Sequence, residues 1–113
     1  METTMSQYFP TPDECARHTI FPGVHIMTAA CEKMMLSVVD IEPNAVVEEH
    51  QHPHEQVGML LSGRAIFYIG DEQKTLQAGD LYRIPGNTKH RVVGLDGPAK
   101  ALDIFAPVRE EYR

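Results

Sequence analysis

Four of the six histidines of this chain fall in two short stretches, EHQHPHEQ at 49–56 and PGNTKH at 85–90; the other two are His18 and His25. Imidazole is a ligand for transition metals, and in a strand residues two apart point to one face, so His50 and His52 can aim two rings at one point. Pro53 interrupts the ladder, so the chain is expected to bend through 53–55 before a new strand brings Gln56 inward. Its amide oxygen would join His50, His52 and, from the second stretch, His90. Three imidazoles and one oxygen suit one divalent transition metal ion, whether zinc, nickel, iron, manganese or copper, with positions left for water or substrate.

The rival reading places these histidines on a surface loop, and for a lone H-x-H it would be the better one. Here the spacing H-x-H-x3-Q-x6-G, ending at Gly63, is followed by G-x5-P-x-N-x2-H from Gly79 through Pro85 and Asn87 to His90. Several independent constraints are met together, which favours a metal site. His54 and Glu55 belong at the rim of such a site, where one of them could orient a ligand imidazole. His18 and His25 lie outside both stretches and are read as structural.

Positioning these side chains requires closely spaced strands. From Arg17 onward, runs rich in Val, Ile, Phe, Tyr and Thr alternate with turn residues every eight to ten positions, the pattern of an all-β sandwich or barrel. Strands are expected near 17–20, 24–31, 34–42, 45–51, 56–62, 64–70, 73–77, 80–84, 89–94 and 99–106. The breaks carry turn chemistry, as at Pro43-Asn44, Ser62-Gly63, Gly70-Asp71, Gly79-Asp80, Gly86-Asn87 and Gly97-Pro98. One short helical turn within 11–17, capped by Thr11 or Asp13, is the only helix expected. Residues 1–16 read as an N-terminal arm and 17–113 as the barrel domain.

With 113 residues the chain can bury one modest core without disulfides. Sixteen acidic residues against ten basic ones give a formal charge of −6, which opposes binding to phosphate backbones, so no nucleic-acid partner is expected. No apolar run approaches the roughly 20 residues of a membrane helix, so no membrane partner is expected either. The start of the chain has Glu2 and no basic-then-apolar leader, which points to the cytoplasm and to free thiols at Cys15 and Cys31.

The two histidine-bearing stretches resemble the paired motifs of the cupins over residues 34–109, with Gln56 where the usual motif has Glu and Asn87 where it has Gly. The resemblance implies a double-stranded β-helix, the jelly-roll cupin barrel. A neutral ligand set leaves the ion's double charge uncompensated and favours polarising an oxygenated substrate over dioxygen chemistry. The tail LDIFAPVREEY at 102–112 is similar to that of the KdgF-type pectin-degradation proteins, cupins that linearise unsaturated uronates. In that group the metal ligands match His50, His52, Gln56 and His90, and the residues implicated in chemistry match Asp103, Phe105 and Arg109. The resemblance thus implies a small-molecule substrate that is a sugar acid. Arg109 would hold its carboxylate, and Asp103, facing the cavity with Phe105, would transfer a proton.

Taken singly, Asp103 could be a buried carboxylate met by backbone donors, and Arg109 a surface partner of Glu110 or Asp13. Other cupins use three histidines for dioxygenase chemistry, and others bind small molecules without catalysis; both alternatives stand at this point. Met59 and Leu61 alternate away from Gln56, so they either form a homodimer face or fill the space between two sheets of one chain.

Overall fold

The computed structural model describes residues 6–113. Ten strands follow one another: β1 (Ala16–Phe21), β2 (Val24–Ala30), β3 (Met35–Ile41), β4 (Val46–His50), β5 (Glu55–Ser62), β6 (Arg64–Ile69), β7 (Glu72–Gln77), β8 (Leu81–Ile84), β9 (His90–Gly94) and β10 (Ala99–Ala106). They form a six-stranded sheet in the order β1-β2-β3-β10-β5-β8 and a four-stranded sheet in the order β4-β9-β6-β7, antiparallel at every pair. Two such sheets, exchanged by the chain at β4, β5, β6, β8, β9 and β10, make the expected jelly roll, and every expected strand is present.

The sheets close on one interior because the strands obey the period-two rule. Along β3, Met35, Ser37, Val39 and Ile41 are buried while Leu36, Val38 and Asp40 turn outward; along β10, Ala99, Ala101, Asp103 and Phe105 point inward. The main core joins Val24, Ile26, Val39, Ile41, Leu60, Phe67 and Ile84 from both sheets. A smaller cluster of Met35, Phe105 and Val108 seats the start of the C-terminal segment, which ends in a 3-10 turn, Glu110–Tyr112.

The helical turn expected within 11–17 is a 3-10 turn at Pro12–Glu14; Thr11 precedes it without capping a backbone N–H, its hydroxyl donating instead to the Glu14 carboxylate at 3.1 Å. The first five residues of the arm lie outside the described residues. Cys15 and Cys31 are free thiols. Asn44 and Asn87 both sit at φ 62°, the left-handed turn conformation that Asn tolerates best after glycine. No helix among the described residues is long and apolar enough to cross a membrane.

Met59 and Leu61 do not fill the space between the sheets: they lie with Val57 on the outer face of the six-stranded sheet, 37%, 41% and 49% exposed. Leu60, between them, is fully buried, so Leu60→Ala should cost about 2–5 kcal/mol of stability by cavity formation. Leu81→Ala, at a 70% exposed position, should stay within about 0.5 kcal/mol of the parent. Urea titration of both variants checks this contrast; equal losses would mean that the inward and outward faces are wrongly assigned.

Candidate metal centre

His50 and His90 are cross-strand partners, closing the β4–β9 ladder at the end of the barrel. Strict alternation from buried Val47 would turn Glu49 inward and His50 outward. Between the pairs Val47↔Val92 and His50↔His90, however, β4 advances three residues and β9 two. The extra residue is a β-bulge, a device that re-aims the following side chain, and here it turns His50 into the cavity. His52 lies just past β4, in the loop before β5, between the strands expected near 45–51 and 56–62.

That loop is held from across the cavity. The Asn87 N–H donates to the His52 carbonyl at 2.7 Å, and Gly86 passes so close to Pro53 that a Cβ there would lie 2.5 Å from the Pro53 carbonyl oxygen. The two histidine-bearing stretches therefore form one joined rim. Gln56 enters as the first buried residue of β5, as expected, paired with Phe105 on β10.

The three imidazoles share one hydrogen-bonding scheme. Nδ1 of His50 lies 2.8 Å from the Glu48 carbonyl, Nδ1 of His52 3.0 Å from the His54 carbonyl, and Nδ1 of His90 2.8 Å from the Thr88 carbonyl. A carbonyl can only accept, so each Nδ1 carries a proton, and in the neutral ring it is Nε2 that offers the lone pair. His54 thus supports a neighbouring ring through its backbone, and Glu55 is exposed.

His50, His52 and His90 can bring their ligating atoms within 4.8 Å of one another. The Nε2 atoms of His52 and His90 and the Oε1 of Gln56 are buried without a hydrogen-bond partner. Orphaned acceptors of this kind, on rings locked in the ligating tautomer, fit a divalent cation. Burial lowers the pKa of His52 below its usual value and that of His90 to about 4, so both rings are neutral near pH 7, the form that binds metal.

Asp103, Phe105 and Arg109, also singled out in the sequence, line the same cavity as His50, Gln56 and His90. Asp103 is 8% exposed and faces it from β10, two residues from Phe105. Burial raises the Asp103 carboxyl to about 6, even though Tyr82, Gln56 and the charge of Arg109 each pull it back. Arg109 pairs with neither Glu110 nor Asp13: its Nε and one terminal nitrogen both reach Glu111 Oε1 at 2.9 Å, while Glu110 binds Arg113 and Asp13 lies 3.9 Å from Arg17. The guanidinium carbon stands 4.1 Å from the Tyr112 ring centre and 5.3 Å from that of Phe105.

Three cavity groups carried no signal in the sequence. Tyr82 donates its hydroxyl to Asp103 Oδ1 at 2.5 Å, Ser37 buries a hydroxyl with no partner, and Tyr112 returns from the C-terminal turn to close one end. Alternation along β3 and β8 would have turned Ser37 and Tyr82 inward, yet nothing in either strand distinguishes a polar wall from an apolar one. His25 is occupied elsewhere, between Thr19 and Glu42 at 2.9 and 2.6 Å. His18 packs near Tyr112, ring centres 6.1 Å apart.

Calorimetric titration of Zn²⁺ or Ni²⁺ should show one site per chain, with His52→Ala or His90→Ala abolishing tight binding. Gly86→Ala should weaken it by separating the joined loops. For the chelated, metal-free protein, a folded-state pKa of His90 depressed from 6.5 to about 4 makes a stability contribution that is present above pH 6.5 and lost as pH falls towards 4. Thermal unfolding across that interval should decline, and His90→Gln, which cannot titrate, should decline less steeply.

Residues 37–105 match the family model of the cupin domain. The fold closely follows an RmlC-like cupin from Shewanella frigidimarina, with a TM-score of 0.85 and 22% identity over 98% of this chain and 100% of that one. KdgF from a Halomonas species superposes with a TM-score of 0.81 and 28% identity over 89% of this chain and 95% of that one. A 48-residue segment is 40% identical to acireductone dioxygenase 1 of Pectobacterium atrosepticum, a match spanning 39% of this chain and only 28% of that enzyme. With the family model covering more than half of its length, and with two sheets closing over three clustered imidazoles, this chain belongs to the cupin family.

Proposed function

We propose that this cupin is a metal-dependent enzyme that converts a 4,5-unsaturated uronate into its linear keto form, a step in pectin or alginate breakdown. The observation that carries this reading is that Asp103, Phe105 and Arg109 line the same cavity as His50, Gln56 and His90. The 28% identity to KdgF of Halomonas, spread over nearly the whole of both chains, supports it.

The substrate is a cyclic enol ether conjugated to a carboxylate. When bound, a divalent ion held by His50, His52, Gln56 and His90 supplies Lewis-acid polarisation of the carboxylate or an adjacent oxygen. Arg109 binds the carboxylate with the guanidinium edge that Glu111 leaves free, and the Phe105 and Tyr112 rings fix the plane of that group. Asp103 gives a proton to C4 and water adds its oxygen to C5, forming a hemiketal. Breaking the ring C5–O bond leaves a ketone at C5 and, at C1, the aldehyde in hydrated form. The water returns a proton to Asp103, which ends as it began.

One observation favours a second reading, a dioxygenase acting on a small organic substrate: the 48-residue match to acireductone dioxygenase 1. The two readings differ in what they ask of Asp103 and of dioxygen.

Metal-loaded protein incubated with an unsaturated galacturonate monomer should abolish the ultraviolet absorbance of the conjugated double bond. Asp103→Asn should lower kcat by about 10²–10⁴-fold, the usual worth of a positioned proton donor. Arg109→Lys should act mainly by raising KM. Absence of turnover with zinc, nickel, iron and manganese in turn overturns the proposal; oxygen uptake that survives Asp103→Asn establishes the second reading instead.

A further inference from the structure

Four inward positions form one lateral row across the six-stranded sheet. Ser37 on β3 pairs with Asp103 on β10, Asp103 pairs with Gly58 on β5, and Gly58 pairs with Tyr82 on β8. Side chains on adjacent strands touch, but those two strands apart are separated by roughly 9–10 Å, with an intervening side chain between them. Tyr82 nevertheless reaches Asp103. It does so through the space that a side chain at position 58 would fill: a Cβ on Gly58 would lie 2.4 Å from Cζ and 2.5 Å from Oη of Tyr82.

The ring is held in that gap from below, its centre 4.6 Å from that of Phe67, and Tyr82 is 9% exposed. On the other flank of Asp103, Ser37 Oγ has no partner, so the carboxyl is gripped from the Tyr82 side, with the Gln56 amide beside it, and not from the Ser37 side. One carboxyl oxygen is thereby engaged and the plane of the group is set.

We propose that Tyr82, admitted by the missing side chain at Gly58, is the positioning residue for Asp103: it engages Oδ1 and sets the plane in which the carboxyl faces the cavity. The role in turnover rests on the reading of Asp103 as the proton-transfer group. The alternative is that the pair is a buried hydrogen bond serving stability alone, which would leave catalysis untouched.

Tyr82→Phe keeps the ring on Phe67 and removes only the hydroxyl, so the barrel should stay folded. With unsaturated galacturonate as substrate, kcat should fall about 10–100-fold, the usual cost of losing a residue that orients a reacting group, while KM stays within about twofold. Gly58→Ala should give the same split with the hydroxyl still present, because its methyl group evicts the ring. The double variant should lose no more than the worse single one, since both changes break one contact. Independently of any substrate, the infrared carboxyl band of Asp103, isolated as the difference between the parent and Asp103→Asn, should shift and broaden in Tyr82→Phe. An unshifted band, or kcat within twofold of the parent in Tyr82→Phe, overturns the proposal. A parent protein that does not open the uronate overturns the reading of the reaction instead, and the carboxyl band then decides by itself whether Tyr82 positions Asp103.

Discussion

Placing polar atoms inside a small apolar barrel is costly unless each finds a partner, and the interior of this protein is organised around that cost. Its buried set comprises His52, His90, Gln56, Asp103, Ser37 and Thr28. Thr28 is satisfied by the Tyr112 carbonyl at 2.6 Å, and Asp103 by Tyr82. The imidazoles are half satisfied, each through Nδ1 only. Among the buried atoms left unpaired, the Nε2 of His52 and His90 and the Oε1 of Gln56 belong to one cluster, the arrangement expected where a cation completes the hydrogen-bonding inventory; the Ser37 hydroxyl, His18 Nε2 and His54 Nδ1 are unpaired as well. The same desolvation that makes the unpaired atoms expensive lowers the pKa of His52 and His90 and raises that of Asp103, so one physical effect acts on both the imidazoles and the carboxyl.

Geometry does the rest by small departures from regularity. A regular β4 would have turned His50 away, a side chain at 86 would have pushed apart the loops bearing the two motifs, and a side chain at 58 would have blocked Tyr82 from Asp103. Further register shifts occur in β1 between Thr19 and Phe21 and in β10 against β5 between Lys100 and Ala101. The bulge in β4 and the glycines at 86 and 58 thus fall beside the polar groups of the cavity, while the main core is packed largely with aliphatic residues.

Much of this was legible in the sequence, because its signals are local. Period-two hydrophobicity and turn residues located every strand, and the paired histidine spacing located three rings that converge. The bend at Pro53 and the entry of Gln56 followed from the missing N–H of proline. The remainder depends on pairings between distant segments. The bulge in β4 is defined only by its register against β9. The Tyr82–Asp103 bond needs three strands laid side by side, and a glycine in β5 means little until its neighbours are known. Arg109 illustrates the same limit: its partner is Glu111 rather than Glu110 because the C-terminal 3-10 turn rotates one carboxylate towards it and the other towards Arg113. The outward position of Met59 and Leu61 followed from parity, but their exposure did not, since that depends on whether anything packs over the sheet.

The three imidazoles are supported by main-chain carbonyls of Glu48, His54 and Thr88, not by carboxylate or amide side chains. A side-chain support can be deleted or retuned by a single codon change; a peptide carbonyl cannot. The electron-donating character of these ligands is therefore insulated from point mutation at residues 48, 54 and 88, so long as the backbone path holds. Any change in what this cluster binds must then proceed through Gln56 or the opposite wall of the cavity, the parts of the site open to substitution.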